Sequence, residues 1–147
     1  MAKPRRVTVE NGDALKDALN SLEEIASESV LRQAAVAGAR LIHAEVRLRA
    51  PVDLGIYEGK QGPHPPGFLR SHIIIAYDEQ LSVPGKLASY IVTWSKEAFY
   101  GRFLEYGTSK MAAKPFLRPG FEAKKKAAAA AVGEVIQGKA KELTSGQ

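Results

Sequence analysis

Cysteine is absent from this chain, and that zero removes a disulfide framework, a thiolate nucleophile and every cysteine-ligated zinc or iron–sulfur site. Long apolar runs are missing as well. The strongest, Ile73 to Ala76, falls far short of the roughly 20 residues a membrane helix needs. Met1-Ala2-Lys3-Pro4-Arg5-Arg6 leads into no apolar signal region, and an intracellular place of synthesis is expected. Histidine is scarce: His43, His64 and His72 are the whole supply, and none stands at metal-ligand spacing from another His or a carboxylate pair. His43 and Glu45, two apart on a helix, point in different directions. No metal or cofactor is therefore expected. No serine sits in a G-x-S-x-G elbow. The string G-T-S-K, Gly107 to Lys110, lacks the G-K-[ST] order of a phosphate loop and follows bulky aromatics where glycines would be needed. Asp53-Leu54-Gly55 has the D-x-G form of a dimeric aspartic protease, but it follows a long helical stripe and precedes a proline-rich stretch. An Asp that accepts from backbone N–H groups at a turn is the simpler reading. No catalytic activity is expected.

What is present describes one globular domain: 147 residues, 45% hydrophobic and 25% charged, with a net charge of +5. The surplus is localised. Between Lys96 and Lys126 eight basic residues (Lys96, Arg102, Lys110, Lys114, Arg118, Lys124, Lys125, Lys126) face three acidic ones (Glu97, Glu105, Glu122), which accounts for the whole net charge. Such a segment attracts a polyanion or an acidic protein surface, or else it is the solvated face of a helix.

Residues 1–10 carry no helical periodicity and read as a flexible basic arm, with at most a short strand at Val7 to Val9. Residues 11–147 read as a single α+β domain with a frayed C-terminal tail. Leu15, Leu19, Leu22 and Ile25 make a helical stripe, with Asn11 or Asp13 available as the cap. A second helix runs from about Ser27 or Ser29 to Arg49 and ends before Pro51. Its middle is small (Ala34, Ala35, Ala37, Gly38, Ala39), so a sheet or another helix should approach its backbone closely. Four glycines and four prolines between Pro51 and Gly67 predict a long loop without regular structure. Leu69 to Tyr77 and Leu87 to Ser95 predict an antiparallel hairpin. Ala98 to Tyr106 predicts a short helix capped by a left-handed Gly107, and Pro115 to Pro119 an extended segment with a candidate third strand at Pro115 to Arg118. A last helix should begin near Pro119 or Gly120 and reach about Leu143. The expected architecture is a small antiparallel β-sheet packed against the long helix of the N-terminal half and the C-terminal helix.

The segments Tyr100 to Thr108 and Pro115 to Phe121 remain. Phe103, Phe116 and Phe121 read as core. Tyr100 and Tyr106 have polar tips suited to partial exposure, and Arg118 is framed by prolines. Aromatics interleaved with Arg suit a protein interface. Y-G-R-F-L-E-Y-G-T-S-K-M-A-A-K-P-F-L-R-P-G-F, Tyr100 to Phe121, resembles the tail-component family of long-tailed double-stranded DNA phages and prophages, whose members carry Y-A-x-x-x-E-x-G-T followed by P-x-x-P-F-L-R-P-A-[FL]. A-P-V-D-x-G at Ala50 to Gly55 and G-x-L-R-x-S at Gly67 to Ser71 also resemble that pattern. Three departures stand out. Ile56 to Pro66 is an insertion, Leu54 replaces the usual Thr, and Gly120 replaces the usual Ala, a change expected to cost a little helix stability and leave the role unchanged.

The resemblance implies a structural virion protein, a minor tail component made in the bacterial host cytoplasm. It would act in head–tail joining or tail completion as a ring, commonly sixfold, at the neck–tail junction around the DNA channel. Its partners would be further copies of itself and the neighbouring neck, connector, tail-terminator or tail-tube proteins, with no membrane involved. Tyr100, Arg102, Glu105, Tyr106, Lys110 and Arg118 are the candidate protein-interface residues, and Asp53, Tyr57, His64 and Arg70 mark a candidate assembly loop. The competing reading is a nucleic-acid-binding domain that sets Arg102, Lys110, Lys114 and Lys124 to Lys126 against phosphates, although no recognition-helix signature accompanies it.

Overall fold

The structure is a computed structural model that describes residues 11–52, 57–59 and 62–146. The expected N-terminal arm, residues 1–10, lies outside the described residues. Helix α1 spans Gly12–Ile25 and carries the leucine stripe. Asn11 precedes it with a left-handed backbone, φ 69°, and neither it nor Asp13 caps the helix as expected. An N-cap side chain reaches the free N–H groups from an extended backbone, which Asn11 does not have. Helix α2 spans Glu28–Arg49. It stops as the proline predicts: Ala50 turns extended at φ −58°, ψ 127° ahead of Pro51, after its N–H closes the last turn on Val46 O.

Two stretches of the Pro/Gly segment form strands, which its composition does not predict. Strands β1 (Tyr57–Gly59) and β2 (Gly62–His64) pair antiparallel, with Tyr57 opposite His64 and Gly59 opposite Gly62. A two-stranded ribbon has an open edge on both sides, so Pro63 can sit in it without removing a ladder bond. The insertion Ile56 to Pro66 thus contains a hairpin.

One helical turn, α3 (Phe68–Ser71), replaces the first residues of the expected strand. It brings Leu69 into the core, and the strand β3 (Ile73–Tyr77) follows. Strand β4 (Tyr90–Trp94) pairs antiparallel with β3 from Ile73 opposite Trp94 to Tyr77 opposite Tyr90. The two tyrosine rings meet edge-on at 5.3 Å. Asp78 organises the connection by accepting from the N–H groups of Gln80 and Leu81. A 3₁₀ turn at Lys96–Ala98 leads to α4 (Gly101–Tyr106), and α5 (Leu117–Ser145) closes the chain. No third strand forms at Pro115 to Arg118: helix begins there at Leu117, with Pro119 in the first turn, where its missing N–H costs nothing.

The sheet β3–β4 lies against α2, and α5 runs beside α2 for much of its length. The small residues of α2 therefore face a helix. A methyl placed on Gly38 would come within 2.8 Å of Val132 Cγ2 and 3.1 Å of Ala128 O. Nearer the core, Gly120 of α5 sits on Val46 of α2, where a methyl would meet Val46 Cγ2 at 2.6 Å and Val46 Cα at 3.1 Å. Gly120 thus fits the close backbone approach at this crossing, a packing reason beyond the small helix cost expected of it. The core gathers at this end of α2: Val46, Ala50, Leu69, Ile73, Ala98 and Phe116 are buried, with Trp94 packed against them. His43 is structural, its Nε2 donating to Ile73 O at 2.7 Å.

Candidate functional site

The junction of α4 and α5 is built around one carboxylate. Glu105 is 7% exposed. Its Oε2 accepts from the backbone N–H groups of Phe116 at 2.7 Å and Leu117 at 2.9 Å, and its Oε1 from that of Arg118 at 3.0 Å. Those are free donors at the start of α5, so a residue of one helix caps another. A negative charge at a helix N-terminus is also favoured by the aligned peptide dipoles. The chain returns from Glu105 to Phe116 through a tight loop. Gly107 has φ 74° and lacks room for a methyl, which would meet Ala113 N at 2.8 Å. Its ψ of 175° places it outside the left-handed helical cap expected of it. Thr108 and Met111 then bridge across the loop, and Lys114 N–H closes on Leu104 O at 2.7 Å. The E-x-G-T and P-F-L-R-P motifs are therefore two halves of one capping device.

Beside this junction the hairpin and α4 enclose a cavity of about 430 Å³, with Phe68, Phe99, Phe103 and Met111 among its walls. His64, though polar, is buried here, its ring 4.3 Å from that of Phe68 and 5.5 Å from that of Tyr100. His72 stacks on Phe68 at 3.9 Å. His64 and Tyr100, 36 positions apart in sequence, are thus brought together. Arg70 does not join them. Its guanidinium donates to Leu48 O at 3.3 Å and Ala50 O at 3.0 Å, tying α3 to the end of α2. Asp53 lies outside the described residues, as does the side chain of Tyr57.

A second, open groove of about 1100 Å³ separates β4 from α5. Ile91, Phe121 and Val132 contribute its apolar walls, with Tyr106, Arg118 and Lys125 along it. Tyr106 is 73% exposed, and Arg102, Lys110 and Arg118 are exposed too. Of the six residues expected to form an interface, four are thus accessible, Tyr100 is half-buried, and Glu105 is committed to the cap. Two of the three phenylalanines expected in the core are not there. Phe116 is fully buried, but Phe103 and Phe121 are 44% and 47% exposed, one beside the aromatic cavity and one along the groove. The leucines of α1, Ile91 and Phe121 are surface features that residue-by-residue reading of the sequence missed. A count of apolar residues against the small core could have flagged them.

Among the described residues no group of three His, Asp or Glu is placed to hold a metal ion, and no helix is long and apolar enough to cross a membrane. Neither a curated protein nor a solved structure matches this chain. A family model does match, over residues 13–107, from the start of α1 to the glycine that ends α4. That stretch holds Glu105 and both α2 and the hairpin, and stops short of the Pro115 to Phe121 motif. On this match to the family described as "Bacteriophage HK97-gp10, putative tail-component", the chain belongs to the HK97-gp10-like family.

Proposed function

We propose that this protein is a non-enzymatic, minor structural component of a tailed phage or prophage virion, made in the host cytoplasm and acting in head–tail joining or tail completion as a ring at the neck–tail junction. Residues 11–147 act as one folding unit in this reading, with residues 1–10 as an arm engaged on assembly. The observation that carries it is the amount of apolar surface left uncovered on a small core. Leu15, Leu19 and Leu22 on one helix, Ile91 and Phe121 along the groove, and Phe99 and Phe103 at the aromatic cavity are all exposed. Separate apolar surfaces on different elements suit contacts between unlike faces, and such contacts close into a ring when the rotation from copy to copy divides a full turn. Tyr100, Arg102, Tyr106, Lys110 and Arg118 supply the aromatic and basic contacts to neighbouring neck and tail proteins, with His64 of the hairpin beside them.

Deletion of the gene from the phage or prophage that encodes it, followed by electron microscopy of the lysate, tests the reading. Filled heads and complete tails should accumulate unjoined, and Tyr106→Ala with Arg118→Ala should reproduce the defect in part. Fully joined, infectious particles from the deletion strain would end it.

A further inference from the structure

Helix α1 has fourteen residues and no buried one. A helix of that length is at the margin of stability in water, and in a folded protein it ordinarily persists because its apolar face is covered. Here the face is bare: Leu15, Leu19 and Leu22 are 51%, 53% and 60% exposed. Its hold on the rest of the chain is slight: a long ion pair from Lys139 to Glu24 at 3.8 Å, packing beside α5 and the start of the next helix, α2, and a half-buried Ile25 at its C-terminal end. Around the leucines the helix is acidic, with Asp13, Asp17, Glu23 and Glu24 against Lys16 alone.

The groove between β4 and α5 carries Arg118 and Lys125 on its α5 side, Lys125 paired with Glu122 at 2.6 Å, against Asp78 and the capping Glu105 in its lining, so the basic excess belongs to the flanking α5 and not to the groove floor. Its floor is cut low by Gly38 and the alanines of α2 and α5, and its apolar walls are open to solvent. The first half of α5, from Leu117 to Ala131, carries Arg118, Lys124, Lys125 and Lys126 against Glu122 alone. An excess of three negative charges on one element thus stands against an excess of three positive charges on the other. The lengths agree as well. Fourteen helical residues extend about 21 Å, and the groove follows α5 from Leu117 to Val132 over about the same distance.

We propose that α1 of one copy docks its leucine ridge into the β4–α5 groove of the next copy, with the acidic flanks of α1 against the basic first half of α5. The contact is heterologous, so each copy offers one helix and one groove and the series closes only as a ring or runs on as a filament. This rests on the ring reading above and names the surface that would build it. Part of the basic surplus is then explained as the complement of the chain's own first helix, with charge setting register and partner choice and the leucines supplying the burial.

The lack of cysteine makes the test direct. Full-length Leu19→Cys and Ala129→Cys proteins, each purified reduced, are mixed at high concentration and oxidised mildly; Leu15→Cys with Ala129→Cys is a second pair on the same ridge. The mixture should give a covalent dimer that neither protein gives alone, and the double variant a ladder of multiples. Arg118→Glu with Lys125→Glu in the groove copy should lower the dimer yield about tenfold, since like charges then face one another. A covalent dimer from Leu19→Cys alone, meaning helix against helix, overturns the proposal. A purely intrachain disulfide in the double variant, meaning α1 folded onto its own groove, does so too. Absence of any crosslink while native mass spectrometry or particle images show a ring overturns the docking and leaves the ring reading standing. Absence of crosslink and of any ring in joined particles overturns both.

Discussion

Two helical surfaces of this protein contrast sharply. Where α5 crosses α2, backbones approach so closely that two glycines have no room for a methyl group, and a carboxylate from α4 satisfies the helix end beside the crossing. On α1, a helix with a cleaner apolar stripe has no fully buried residue, and only Ile25 of the stripe is half-buried. Amphipathic patterning is therefore the same signal in both places, and only the presence of a facing element turns it into core. The difference teaches that this chain concentrates its closest packing at one crossing and leaves much of its other apolar surface exposed.

The contrast predicts an order of sensitivity. Glu105→Ala should have the largest effect, because three N–H groups lose their acceptor at a buried helix end. Urea unfolding of the purified protein should show a loss of about 3 kcal/mol, with Glu105→Gln intermediate because one carbonyl oxygen still accepts. A loss below about 1 kcal/mol would mean that water replaces the carboxylate and that the junction is not the firm part of the fold.

Next comes Gly120→Ala, which the helical position alone would favour by about 1 kcal/mol. The contact with the Val46 backbone should outweigh that and destabilise the protein by about 1–2 kcal/mol in the same assay. Gly133→Ala on the same helix has open space around it and should stabilise by up to about 1 kcal/mol. Opposite signs within one helix are the sharp outcome; equal signs would mean that α2 and α5 can slide apart.

The smallest effect belongs to α1. Leu15→Gln with Leu19→Gln and Leu22→Gln should change the unfolding free energy of the isolated chain by no more than about 0.5 kcal/mol, because none of the three is in the core. A loss of several kcal/mol would erase the contrast and place the three α1 leucines among the core contacts.

Much of the fold was legible in the residues. The two N-terminal helices, the hairpin of β3 and β4, the stop before Pro51 and the long last helix follow from apolar spacing and from proline and alanine, which act locally. The small middle of α2 correctly required a close neighbour. The hairpin at β1 and β2 was not legible, since breaker density argues against regular structure and says nothing of a ribbon with open edges. The site was legible as a segment but not as a mechanism. Glu105 and Arg118 were grouped by motif, whereas the structure separates their roles: the Glu105 side chain caps α5 on the Arg118 N–H, leaving the Arg118 side chain outside. Arg70 was drawn toward the loop by sequence and proved to tie off α2.

By itself, then, the sequence determined the helices, the β3–β4 hairpin and the chemistry this chain lacks, because periodicity, backbone restriction and the absence of cysteine are properties of neighbours along the chain. Only the tertiary structure decided which apolar stripe becomes core, which glycine is indispensable and which motif residue is spent on capping. Those outcomes depend on which elements face each other across space, and residues such as Gly120 and Val46 meet 74 positions apart for reasons that no local window contains.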